Sequence, residues 1–220
     1  MKTSQRCGGF AALYLAAAYL IGIVLFLCIL DYPSMTDPAQ RVALLVDKQM
    51  VIFSTNLLMY VFFGVFLIVL SLALYDRLKS GAPAIVQVAT AIGIIWAGSL
   101  IASGMVANAG IAPVVALYAQ DPAQAALTWQ GIESVASGLG NGNGEILGGL
   151  WTLMVSLAAL RAGGLPKGLN IVGLLVGAVG IISPIPGLTE MMVGVFGLSQ
   201  IIWFVWLGIV LLRNSPSRAA

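Results

Sequence analysis

The residue best placed to do chemistry in this chain is a carboxylate at the head of an apolar run. Glu145 follows Gly138-Leu-Gly-Asn141-Gly-Asn143-Gly and leads into the stretch ILGGLWTLMVSLAAL. Glycine at every second position from 138 to 144 frees the backbone and disfavours a continuous helix. A carboxylate carried to depth in hydrocarbon normally faces protein or water and marks an ion or proton site. Asn141 and Asn143 would set amide oxygens beside it. Two readings stay open. In one, Glu145 is a ligand or proton-carrying group at a broken helix, as in transporters with discontinuous helices. In the other it is a first-turn residue that complements the positive helix end, with Asn141 or Asn143 as cap.

Three further groups join the first reading. Asn56 lies six residues past Met50, at a depth similar to that expected for Glu145. Glu133 and Glu190 are expected at the same membrane face. Glu190 closes a second irregular stretch, Ser183-Pro-Ile-Pro-Gly187-Leu-Thr189-Glu190. Together, Glu145, Asn141, Asn143, Asn56, Glu133 and Glu190 would line an outward-facing polar pocket. Its negative character suits a small cation, a proton or an amine. Gln200 and Asn56 also serve as interhelical hydrogen-bonding residues in a simpler account.

Other chemistries find no purchase. The chain has no histidine, which removes the commonest metal ligand and general base together. Its four lysines all fall at expected helix ends or loops, so a buried Ser-Lys pair is not available. No nucleophile elbow, phosphate-binding loop or dinucleotide fingerprint occurs. The expectation is therefore a protein without enzymatic activity, cofactor or metal. No basic tract suits nucleic acid.

The elements that must position these residues follow from composition. Of 220 residues, 60% are hydrophobic and 8% charged, far too few charges to cover a water-soluble globule. The bilayer is the expected solvent and main partner. Apolar segments over about 10–30, 50–74, 84–107, 145–160, 169–184 and 191–212 predict an all-α bundle of six transmembrane helices in a single domain. An outer connector spans 108–144, and within it residues 123–137 suit an interfacial helix anchored by Trp129.

Six spans put Lys2, Arg6, Arg77, Lys79, Arg161, Lys167, Arg213 and Arg218 on one side, leaving Arg41 and Lys48 on the other. Both termini should then be cytoplasmic. Gly144/Gly148 and Gly173/Gly177 mark close helix contacts, either within the bundle or in a homo-oligomer. A faint similarity links the turn Ser71-Leu-Ala-Leu…Arg77…Gly81-Ala-Pro83 with Ser156-Leu-Ala-Ala-Leu-Arg161…Gly164-Leu-Pro166.

The run Asn143-Gly-Glu145-Ile-Leu-Gly148-Gly149-Leu-Trp151, then Leu160-Arg161 and Pro166, resembles the bacterial membrane family labelled domain of unknown function 4386. Gly197-Leu-Ser-Gln200-Ile-Ile-Trp203 with Trp206-Leu-Gly208 is similar in kind. The resemblance covers mostly the last third of the chain. It implies a multi-helix inner-membrane protein with no assigned activity, and it carries over no catalytic residue. The leading functional expectation is a structural or accessory role; the alternative is a small-solute or cation/proton transporter, or a ligand-binding sensor, built around Glu145.

Overall fold

The computed structural model describes residues 2–140 and 144–213, the side chains of Lys2, Pro33 and Glu190 excepted. Every regular element among them is helical. Helix α1 (Lys2–Ile23) continues through a π-helical stretch, Val24–Ile29. Helix α2 (Pro38–Asp47) is short. Helix α3 (Gln49–Asn56) passes through a second π stretch, Leu57–Phe62, into α4 (Phe63–Leu78). The remaining helices are α5 (Pro83–Tyr118), α6 (Pro122–Leu139), α7 (Ile146–Ala162), α8 (Lys167–Ile182) and α9 (Thr189–Arg213).

Local sequence explains several boundaries. Helices α2 and α6 both begin at Asp-Pro. Asp37 accepts from the Ala39 N–H at 2.9 Å, and Asp121 from the Gln124 N–H at 3.0 Å. In each case proline fills the first turn, where its missing N–H costs nothing. Helix α7 ends on Gly163 at φ 66°, a left-handed conformation that glycine adopts without penalty.

Four helical stretches, Thr3–Ile29, Gln49–Leu78, Pro83–Tyr118 and Met191–Arg213, are long and apolar enough to cross a bilayer. Helices α7 and α8 are shorter, at 17 and 16 residues. At ~1.5 Å per residue they reach roughly 25 Å, short of a hydrocarbon core of about 30 Å. Large apolar side chains point outward: Ile95, Met105, Leu175 and Ile202 are each at least 60% exposed. Stripes of that kind are at home in lipid.

The connector expected over 108–144 is largely helical. Helix α5 continues to Tyr118 with Pro113 inside it, and α6 covers the stretch read as interfacial. The apolar sequence on both sides of Pro113 sustains α5 even though that residue donates no backbone hydrogen bond.

Contacts group the chain into two units: residues 1–17, 64–98 and 143–220 form the first, and 18–63 and 99–142 the second. In the first unit α7 and α8 approach through glycine. A Cβ on Gly149 would lie 2.7 Å from Ile181 N and 2.8 Å from Gly177 O. Trp96, Trp151, Trp203 and Phe204 form a fully buried aromatic group, with Trp151 at 5.7–6.2 Å from the other three rings. Arg77 donates to Gly164 O at 2.8 Å and to Gln5 Oε1 at 3.0 Å, while Gln5 donates to Ala73 O. This ties α1, α4 and the α7–α8 turn.

The second unit has its own core of Leu30, Val42, Leu45, Ile52, Ile111, Val114, Ala125 and Trp129. Ser103 of α5 donates to Ala136 O at 2.7 Å, and Ser99 donates to Leu139 O. Two carbonyls in the last turn of α6 thus gain hydroxyl partners, that of Ala136 in addition to the Gly140 N–H at 2.8 Å.

Candidate functional site

Glu145 occupies the N-cap position of α7, held there by three backbone features. Gly144 precedes it at φ 107°. The Glu145 N–H donates to Ser183 Oγ at 2.7 Å, and that hydroxyl donates to Gly180 O at 2.7 Å. The Glu145 carbonyl accepts from Gly149 N–H at 2.7 Å. The backbone at the N-cap of α7 is thereby fastened to the end of α8.

The side chain is treated differently. Glu145 is 6% exposed, makes no capping bond, and its Oε2 has no hydrogen-bond partner among the described residues. The reading of Glu145 as a helix-end residue needs a side chain near the free N–H groups of the first turn, bonded or in water. Here the carboxyl makes no capping bond, and its Oε2 is shut away from solvent. A buried carboxyl without a partner is costly as a bare charge and is tolerated with a proton or a cation on it.

Below Glu145 the buried face of α7 carries two more polar residues, seven and eleven positions on, at helical spacing. Thr152 and Gln200 of α9 are both fully buried and bond each other. The Thr152 hydroxyl donates to Gln200 Oε1 at 3.2 Å and accepts from its Nε2 at 3.1 Å. Ser156 is fully buried with no partner for its hydroxyl, and Asn170 Oδ1 of α8 also has none. Asn170 Nδ2 donates to Leu165 O, and Trp203 Nε1 donates to Leu169 O. Thr152, Ser156 and Asn170 were not singled out from sequence. Their 7- and 11-residue spacing from Glu145 was the available signal for the first two.

The other expected site residues fall as follows. Asn56 and Glu133 belong to the second unit. The Asn56 amide donates to Asn108 Oδ1 at 2.9 Å, and Asn108 donates to Phe53 O at 3.2 Å. Glu133 meets Arg41 at 3.6 Å, and Arg41 also donates to Met35 O and lies 5.2 Å from the Tyr32 ring centre. Asn141 and Asn143 lie outside the described residues, as does the side chain of Glu190. Each described member thus has its own local surroundings: Asn56 an amide, Glu133 a guanidinium, Glu145 an apolar helix junction. No three His, Cys, Asp or Glu side chains cluster as a metal site among the described residues. Cys7 and Cys28 are free and exposed.

Glu133 yields a pH prediction. Burial pushes its carboxyl up to about 7, and the long contact to Arg41 does not offset this. A carboxyl raised on folding favours the folded state most below its unfolded value, and that contribution is lost as pH rises through the folded value. The second unit should therefore lose stability between the ordinary glutamate range and about pH 7. Thermal unfolding in detergent across that window checks it, with Glu133→Gln expected to flatten the slope.

These features define an all-α membrane protein with a buried carboxyl at a helix junction. Residues 11–212 match the family described as Domain of unknown function (DUF4386), and the chain belongs to that family. No curated protein and no solved structure matches it.

Proposed function

We propose that this is a multi-pass protein of the bacterial inner membrane, without enzymatic activity, that carries a proton or one small cation on Glu145. Six spans with both termini cytoplasmic fit the placement of eight of the ten Lys and Arg residues. The single observation that carries the site is the Glu145 side chain itself: 6% exposed, with Oε2 unpartnered, while its own backbone is fully engaged. Such a group suits a transporter or sensor of small cations or protons.

The plainer reading, a structural or accessory bundle, has its own supporting observation. The α7–α8 contact is backbone on backbone at Gly149, Gly177 and Gly180, which favours a fixed junction. One comparison separates the two. Infrared difference spectra of the purified protein across a pH or cation step should contain a carboxyl signal that Glu145→Gln abolishes. Identical spectra from the two proteins, with the fold intact by circular dichroism, would remove Glu145 from any ion chemistry and leave the structural role.

A further inference from the structure

Helices α1 and α9 pack through glycine at one end of the first unit. A Cβ on Gly9 would lie 2.7 Å from Leu212 Cγ and 3.2 Å from Gly208 O. One on Gly208 would lie 2.8 Å from Leu13 Cγ and 3.1 Å from Gly9 O. The start of α1 thus lies against the end of α9, and the two helices run antiparallel.

That contact gives the seam two sides. Each step along a helix turns about 100° around its axis, in opposite senses for two antiparallel helices viewed from one end. Gly8 and Leu211, one position before Gly9 and Leu212, therefore share a side. It faces α4: a Cβ on Gly8 would stand 2.5 Å from Ala73 Cβ and 3.6 Å from Leu211 Cδ1. Phe10 and Arg213, one position after, share the opposite side. Arg6 stands four residues before Phe10 on the same face of α1, and Ile209 four before Arg213 on α9. Phe10 is 62% and Ile209 38% exposed, and both arginines are exposed.

The outer side of the seam thus carries two guanidiniums with an uncovered apolar side chain one turn deeper on each helix. The stretches Thr3–Ile29 and Met191–Arg213 are long and apolar enough to span a bilayer. Their ends put Arg6 and Arg213 at headgroup level, with Phe10 and Ile209 beside acyl chains. Neither arginine meets an acid among the described residues. Asp76, which α4 brings to this end, accepts from Lys79 Nζ at 2.7 Å and from Ser4 Oγ at 3.3 Å.

We propose that the outer side of the α1–α9 seam binds one phospholipid with a net negative headgroup. Its phosphate sits between Arg6 and Arg213, and an acyl chain lies along Phe10 and Ile209. The guanidinium fork matches phosphate oxygens in pairs. Each basic residue at an anionic lipid surface favours it by about fivefold. A zwitterionic lipid gains less, because its own ammonium competes for the phosphate. Nothing in this site depends on Glu145, so the inference stands apart from that reading.

Native mass spectrometry of the full chain, released from micelles holding equal amounts of phosphatidylglycerol and phosphatidylcholine, tests it. The wild type should retain one phosphatidylglycerol in preference. That preference should fall by on the order of thirtyfold in Arg6→Gln/Arg213→Gln, the product of two such effects. Arg161→Gln/Lys167→Gln removes the same charge from exposed residues of the α7–α8 turn and should leave the preference unchanged. Equal retention of the two lipids by the wild type overturns the proposal, and so does equal loss in both double variants. Displacement of the lipid by inorganic phosphate would mean a simple anion site and also overturns it, as would a lipid-free dimer that the first double variant dissociates. The wild-type comparison decides the matter even if a variant does not fold.

Discussion

Gly149→Ala is expected to destabilise the protein by about 3 kcal/mol, the upper end of the usual cost of overpacking. A new Cβ there would meet Ile181 N at 2.7 Å, Gly177 O at 2.8 Å and the Gly180 carbonyl carbon at 2.8 Å. All three are backbone, so no side chain can rotate away. Relief requires α7 and α8 to separate, and their separation would also strain the Glu145–Ser183 bond. Alanine is otherwise the better helix former, by roughly 1 kcal/mol. That gain is realised where space is free. A Cβ on Gly98 or Gly131 would touch nothing within 4 Å, so alanine at either site should be neutral or mildly stabilising. Unfolding in mixed detergent micelles measures all three. Equal effects at positions 149 and 98 would mean that the α7–α8 contact is looser than described.

Trp151→Ala is expected to cost more, about 3–5 kcal/mol, the range for removing a large aromatic from a packed interior. Trp151 is fully buried and lies 5.9 Å from Trp96, 5.7 Å from Trp203 and 6.2 Å from Phe204, centre to centre. Its loss leaves a hole that the three remaining rings, Trp96, Trp203 and Phe204, cannot close without leaving their rotamers. Trp206 is the control, because it is 38% exposed on α9. Trp206→Ala should fall within about 1 kcal/mol of wild type. Lipid solvation narrows the contrast between a buried and an exposed apolar group, so what the pair of variants isolates is packing.

Much of this was legible in the residues. The apolar runs gave the helices because a bilayer demands long uncharged rods. The Asp-Pro pairs at 37–38 and 121–122 start two helices through a local capping rule, a signal that the sequence reading above did not use. Gly144 and Glu145 announced an irregular junction. The length of α5 was not legible, since Pro113 reads as a breaker and only neighbouring apolar sequence keeps the helix going. The π stretches 24–29 and 57–62 leave no compositional trace. Thr152, Ser156 and Ser71 were missed for a different reason. An isolated hydroxyl in an apolar helix usually satisfies itself on its own backbone, so nothing in its type says that it will be turned inward, bonded across helices as Thr152 is or left without a partner as Ser71 and Ser156 are. In the sequence Ser71 and Ser156 stand out only through the faint similarity of two turns. In the structure Ser71 meets Gly93 and Trp151, and Ser156 meets Gly173 and Trp203, four positions that lie outside that similarity.

The glycine contact between α7 and α8 bears on how the protein is made. Each helix alone would present polar groups to lipid: Thr152 and Ser156 on one, Asn170 and Ser183 on the other. Once the two pair, Ser156 is covered by the bare backbone at Gly173 and Ser183 accepts from the Glu145 N–H, while Thr152 finds its partner later, in Gln200 of α9. Segments of this kind gain little by entering a membrane one after the other during synthesis. The hairpin is the smallest piece that can partition into the bilayer at low cost, so its two arms are expected to leave the insertion machinery together.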